Sequence, residues 1–534
     1  MTSSRIRLFL KKMIAATAVL AICWSGSVTA QSSSAKYALF VNASTSTNKT
    51  SVIRIINTTS SSGTLTATAY DELGTRLGTA NAYLGSFAAN QTLTFTSAQV
   101  EAAMGFTPSA PTVKYSVYFS ANVASFEIIN YTRDNTTGNL TLSQSQTTDR
   151  ASSASASTVT RQAWFVSSSA SSNKTNVLRI INTSNQSGTL NGLPFDEAGN
   201  LLGTSRSTSN WTSLGTIGAH QMVSYTSAQL EAALGFLPPA PTAKYRVAFN
   251  GSVPSMEVVN FTRDNATLNL SLLQAQLEDR PNSSATRNAL VVYPSTNPTR
   301  TTVIRIVNSN YAVATVTATV YNEAGTALAS GSLGTMVANQ ILALTSVQLE
   351  ATLGYIPSST TAKYRLVISA NVPTFEVINN IKDPNTGNLY LAQAQTDYRA
   401  ASTAASTTRS VHIIYPSNSA VNTTQLLVIN TTAQSSALTA TAYDDNGTLI
   451  MSGVYLGTLG ANQTLTFTSA QLQTLIGGYT PPTTSSKWRM VISANLSNFE
   501  VINYAQDVTS GSVTLAQAQT DGVDQFESPP TLPQ

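Results

Sequence analysis

The residues able to do chemistry in this 534-residue chain are few, and most of them recur. Its two histidines, His220 and His412, fall at different points of the sequence pattern, and its one cysteine, Cys23, lies near the N-terminus. Structural zinc needs a cluster of thiolates or imidazoles, and a serine hydrolase needs a Gly-x-Ser-x-Gly elbow with a histidine in reach. A phosphate site needs a glycine-rich loop. The sequence spells none of these patterns, so a non-catalytic protein without cofactor or metal is expected. A carboxylate pair assembled only by folding is the remaining route to an enzyme, a secreted hydrolase.

What does recur is arginine and glutamate. Glu127, Glu257, Glu376 and Glu500 each stand between apolar neighbours in a strand-like segment, and the same segments carry Arg246, Arg365 and Arg489, with Ser116 at that place in the first copy. A second recurring strand carries Arg54, Arg179 and Arg305, with Leu427 at that place in the fourth copy. No copy lacks both arginines. If the Glu segment and the Arg segment before it form a hairpin, Glu376 lies one diagonal from Arg365 on the same face. The expectation is a partly buried Arg–Glu ion pair in every copy.

Three other features invite a ligand. Residues 134–139 (DNTTGN) and 383–388 (DPNTGN) offer oxygens at alternate positions, as a calcium loop does, but lack the closing bidentate glutamate, and a hairpin turn wants the same residues for its backbone. Asn48, Asn90, Asn130 and Asn182 open Asn-x-Ser/Thr sequons, which a chain so rich in Asn, Ser and Thr also produces by composition. Trp211 sits in an insertion peculiar to the second copy, where its ring either stacks on a sugar or folds back over its own domain.

The elements that must position these residues come in four copies. The segment at 363–379, KYRLVISANVPTFEVIN, returns without gaps at 114–130, 244–260 and 487–503. A period of about 120 residues marks whole domains. Three landmarks precede it in each copy: VIRIIN at 52–57, a turn of the type Asp71-Glu72-Leu73-Gly74, and TSAQVEAAMG from Thr96. The last predicts a short helix with Thr as N-cap, Gln closing a capping box and Gly as the stop. Period-two runs such as 64–70, 91–95 and 140–144 add up to seven or eight strands per copy. The fold class is therefore all-β: four tandem immunoglobulin-like antiparallel sandwiches at about 36–150, 162–280, 288–399 and 409–521, each with one short helix. Ser/Ala/Thr-rich stretches from Ala151, Pro281 and Ala400 are linkers, and 522–534 is a tail.

Residues 1–30 have a basic front, an apolar run at 13–24 and a Val28-Thr29-Ala30 end, the form of a cleavable secretory signal. The signal holds four of the 29 basic residues and none of the 25 acidic ones, so the remainder is formally neutral. That removes the electrostatic case for nucleic acid, and no further apolar run is long enough for a membrane span. The order of landmarks resembles the tandem immunoglobulin-like sandwich repeats of bacterial secreted and cell-surface proteins, without the Cys pair of antibody domains. The resemblance covers most of 36–521 and implies an extracellular, cell-surface or periplasmic protein with a structural or adhesive role. Partners would be surface glycans, other extracellular proteins or further copies of itself, and a carbohydrate-binding array is the alternative. Flexible linkers without apolar surface lead to the expectation of an elongated string of independent domains.

Overall fold

The computed structural model describes residues 34–136, 140–144, 159–203, 211–265, 270–274, 286–310, 312–372, 375–383, 389–393, 407–509, 511 and 513–517. The signal segment, the tail and most of the three linkers lie outside these residues, as do 137–139 and 384–388 of the two candidate calcium loops.

Each copy is a sandwich of two four-stranded antiparallel sheets. In the first, β1 (Ser34–Asn42), β6 (Lys114–Ala121), β3 (Gly63–Asp71) and β4 (Arg76–Phe87) form one sheet in that order. The second holds β5 (Thr92–Thr96), β2 (Lys49–Asn57), β7 (Phe126–Asp134) and β8 (Leu140–Gln144). The other copies repeat this order, in which the first strand pairs with the sixth, and they begin at Val159, Thr286 and Thr407. Between β5 and β6 lies α1 (Ser97–Met104), with Thr96 and Gln99 in a reciprocal capping box and Gly105 in the left-handed conformation at its end. The fourth helix, Ser469–Leu475, keeps the box, and Gly477 and Gly478 follow it at positive φ.

The repeated 17-residue segment is not a hairpin. Tyr364–Ala370 pairs with strands of one sheet and Phe375–Lys382 with strands of the other, so the chain crosses the sandwich between them. The cause is the corner residue: Val123, Val253, Val372 and Leu496 are fully or almost fully buried and plug the gap between sheets. A tight turn would have left them in water.

Ala38, Ile53, Ile55, Leu65, Val117, Phe119 and Phe126, drawn from both sheets, fill the first sandwich together with Val100 and Met104 of α1. Three equivalent cores fill the others. A fifth core belongs to all four repeats at once: Leu39, Ile56 and Tyr131 of the first pack with Trp164, Ile181 and Phe261 of the second. Val291, Val307 and Ile378 of the third and Ile413, Ile429 and Tyr504 of the fourth complete it. The inner sheet of each repeat is thus apolar on both faces, which is why VIRIIN and its copies do not alternate.

β8 and its equivalents Leu270–Gln274, Leu389–Leu391 and Val513–Gln517 touch in a closed circuit, the first against the second and the fourth, the third against the second and the fourth. Tyr131 donates its hydroxyl proton to the Ala516 carbonyl, and Tyr504 donates to that of Ala392. The four sandwiches form a closed ring around a shared core, and the expected string of independent domains is replaced by one body. The docking surface lies on the sandwiches themselves: the outward face of the β5–β2–β7–β8 sheet and its equivalents, with the first strand of the other sheet beside it.

Candidate functional site at the joints between repeats

The β3–β4 turn of each repeat inserts into a loop of the next. The Glu72 carbonyl accepts the Met222 amide proton at 3.2 Å, Glu197 that of Ile341 at 2.9 Å and Glu323 that of Thr464 at 2.9 Å. Asp445 of the fourth repeat accepts from Thr92 of the first at 2.9 Å, closing the circle. These donors are the first residues of edge strands, whose unpaired amides are thereby satisfied. The turn glycines Gly74, Gly199, Gly325 and Gly447 have φ between 82° and 89°, and a Cβ on any of them would overlap a carbonyl oxygen of the next repeat. Glycine is required here by conformation and by contact together.

Beside three of the four turns runs an arginine. Arg365 lies 4.9 Å above the Tyr321 ring and donates to Asn462 of the next repeat at 2.8 Å. Arg489 lies 4.6 Å above Tyr443 and donates to Asn90 at 2.6 Å through Nη2 and to the Asn90 carbonyl at 3.1 Å through Nε. Arg246 lies 4.1 Å above Phe195 and donates to Asn339. The receiving Asn90, Asn339 and Asn462 all have positive φ, a conformation asparagine adopts more readily than most residues. Burial holds the Arg365 and Arg489 guanidinium pKa values down at about 10.

The first joint departs from this on both sides. Ser116 stands where the other repeats have arginine, and His220 stands where the next repeat would offer asparagine. The His220 ring stacks on Tyr70, centroids 4.0 Å apart at 18°, so an imidazole from the second repeat covers the aromatic that arginine covers elsewhere. Its Nδ1 lies 3.2 Å from the Tyr37 hydroxyl, whose proton is donated to the Thr183 carbonyl at 2.9 Å.

The second arginine series faces the ring interior. Arg54 donates to Asp445 of the fourth repeat, Nη2 to Oδ1 at 2.8 Å. Burial works against its charge, and the carboxylate, by charge and hydrogen bond, outweighs burial and raises its pKa. Arg179 lies 3.7 Å above Phe40 of the preceding repeat, and Arg305 lies 3.6 Å above Phe165. Burial brings both down to about 10, with Glu72 and Glu197 of the preceding repeats opposing the shift. Where Leu427 replaces the arginine, Glu323 instead meets Lys363 of its own repeat at 3.7 Å.

The expected Arg–Glu pairs within repeats are therefore corrected. Arg365 and Glu376 are in different sheets, as are Arg246 and Glu257, and Arg489 and Glu500. Arg54 does share a sheet with Glu127, but its guanidinium is drawn across the joint to Asp445. Glu257, Glu376 and Glu500 are buried, and the cations that sequence reasoning missed come from the first strand. Lys36 meets Glu127 at 3.4 Å and Arg161 meets Glu257 at 3.8 Å. Arg287 and Arg409 hold the same strand position, over Phe375 and Phe499. The signal was a Lys or Arg at the same place in every first strand.

Another buried carboxylate escaped notice as a mere helix residue. Glu101 accepts from the Ser44 amide at 2.8 Å, from the Ser44 hydroxyl and from the Tyr115 hydroxyl at 3.0 Å. Glu231 and Glu350 make the same contacts to Ser169 and Ser295. In the fourth repeat Gln473 and Trp488 replace the Glu and Tyr together.

Trp211 is half-buried and packs on Leu193, Phe195 and Ala248 of its own repeat. Of the quoted sequon asparagines, Asn130 and Asn182 are fully buried, with Nδ2 donating to backbone carbonyls, while Asn48 is exposed. Asn90 is engaged by Arg489. Among the described residues there is no group of three or more His, Cys, Asp or Glu placed to hold a metal, and no helix long and apolar enough to cross a membrane.

No protein family and no curated protein matches the chain. Among solved structures, a biofilm-associated protein BSP domain is similar at 10% identity, covering 90% of this chain and 91% of that one, with a TM-score of 0.14. A Bacteroides uniformis β-glucuronidase 2 is similar at 13% identity over 45% of this chain and 25% of its own, with a TM-score of 0.11. Likenesses this slight define neither a shared fold nor a shared activity.

Proposed function

We propose that the protein is a non-catalytic structural or adhesive element, secreted to the cell surface or extracellular matrix, acting as one closed four-repeat block. The observation that carries this reading is where the recurring chemistry goes. The arginines that the repeats share, Arg246, Arg365 and Arg489 in one series and Arg54, Arg179 and Arg305 in the other, are engaged with the neighbouring repeat. Duplication here has served assembly of a body. The resemblance to tandem sandwich repeats of bacterial secreted and surface proteins supports the same compartment.

The test is to locate the native protein by antibody and to delete its gene. Label on the cell exterior or in matrix, with loss of cohesion or attachment on deletion, is the expected result. Label confined to the cytoplasm, or turnover of a substrate by the purified full chain, would overturn the reading.

A further inference from the structure

The only two histidines in the chain both border the first repeat. His220 fills the joint from the first repeat to the second, at a place where the other three joints have Asn90, Asn339 and Asn462. His412 belongs to the fourth repeat at a place where the others have Leu39, Trp164 and Leu290, all in the shared core. It is fully buried, and neither ring nitrogen has a hydrogen-bond partner among the described residues. We infer that acidification opens the ring at the joint between the fourth repeat and the first, while the other three joints stay shut.

The groups around each imidazole set the direction. His412 feels Arg489 from its own repeat and Arg54 and Lys36 from the first, all cations, with Asp445 held by Arg54 and Glu127 by Lys36. A proton on His412 would add a fourth positive charge to a buried seam. His220 faces the Tyr37 and Tyr70 rings, Tyr118 stands behind Tyr37, and Arg179, Lys114 and Glu72 complete that joint. An imidazolium there would rest on the Tyr70 ring as the arginines rest on the equivalent rings, so this joint accommodates the charge. Burial first, then these cations, brings His412 down to about 3, and burial alone lowers His220. An imidazole freed into water regains its ordinary value, so the open form binds protons that the closed form refuses. Closure is therefore fully favoured above about pH 6.5 and loses ground as pH falls toward the closed-state values. For His412 alone, the open-to-closed ratio rises roughly twenty- to thirty-fold between about pH 7 and pH 5.

Four amides report the four joints. The protection factor of Thr92, which bonds to Asp445, should fall on acidification, while those of Met222, Ile341 and Thr464 hold, with a matching growth of the maximum dimension in X-ray scattering. His412→Leu installs the residue that the first and third repeats already carry, and that variant should keep all four amides protected over the same range. It retains Asp445 and Glu127, so carboxylate protonation is common to both proteins. The inference is overturned if Thr92 holds its protection, if the other amides lose theirs with it, or if the variant follows the parent. Should the variant not fold, the four-amide comparison in the parent protein decides alone.

Discussion

Arg54 and Asp445 lie 391 residues apart, in the first and last repeats, and their 2.8 Å contact closes the ring without a covalent link. Arg54 is 2% exposed, whereas the Asp445 side chain is 36% exposed. Removing the two partners should therefore cost different amounts. Asp445→Ala strands a buried guanidinium and should lower stability by about 2 kcal/mol or more, whereas Arg54→Leu leaves a carboxylate that water can reach and should cost under about 1 kcal/mol. Leucine is what the fourth repeat carries at that place. Chemical denaturation of the full chain ranks the two, and equal losses would contradict the assignment of burial.

Scattering from residues 31–534 at neutral pH should show a compact particle. A globule of roughly 500 residues has a radius of gyration of about 23 Å, far below that of four sandwiches strung end to end. A maximum dimension well beyond about 100 Å, as four sandwiches strung end to end would give, would mean that the ring is open.

Gly325→Ala separates docking from conformation. Gly354→Ala, at a helix end of the same repeat with φ 62° and open space around the added Cβ, should cost only the left-handed backbone penalty, about 1 to 2 kcal/mol. At Gly325 the added Cβ meets the Ala461 carbonyl, so the loss should be clearly larger and confined to the joint between third and fourth repeats. Equal losses for the two variants in the full chain would show that the turn does not dock.

The buried Glu101 and Tyr115 should behave as a unit. Either Glu101→Gln or Tyr115→Trp alone leaves polar atoms imperfectly matched, and the pair together reproduces Gln473 with Trp488. The double variant should be less destabilised than the sum of the singles, by about 0.5 to 3 kcal/mol. A double-mutant cycle by thermal or chemical unfolding checks it.

Much of each repeat was legible in the chain. The capping box from Thr96 to Gln99, the Gly-terminated turn and the strand runs are local signals, carried by hydrogen bonds and backbone preferences within a few residues. The sandwich class follows from those elements and their length. The partners of the arginines were not legible by the same route. A diagonal neighbour can be read only after pairing is known, and the buried corner residue Val372 sends Arg365 and Glu376 to opposite sheets. One long-range signal was present and went unread: Ser116 in one repeat and His220 in the next are each the exception in their series, a change offset by one domain that marks contact between successive repeats.

The sequence by itself determined four copies of one all-β unit, because periodicity, caps and turns act over short distances and repeat four times. The tertiary structure alone decided that these units close on one another. VIRIIN is compatible with any strand buried on both faces, whether by a second sheet, a partner or its own repeats. Only the placement of Ile56, Ile181, Val307 and Ile429 in one common core shows which. Ring closure rests on contacts between residues as distant as Thr92 and Asp445, and no local preference encodes them.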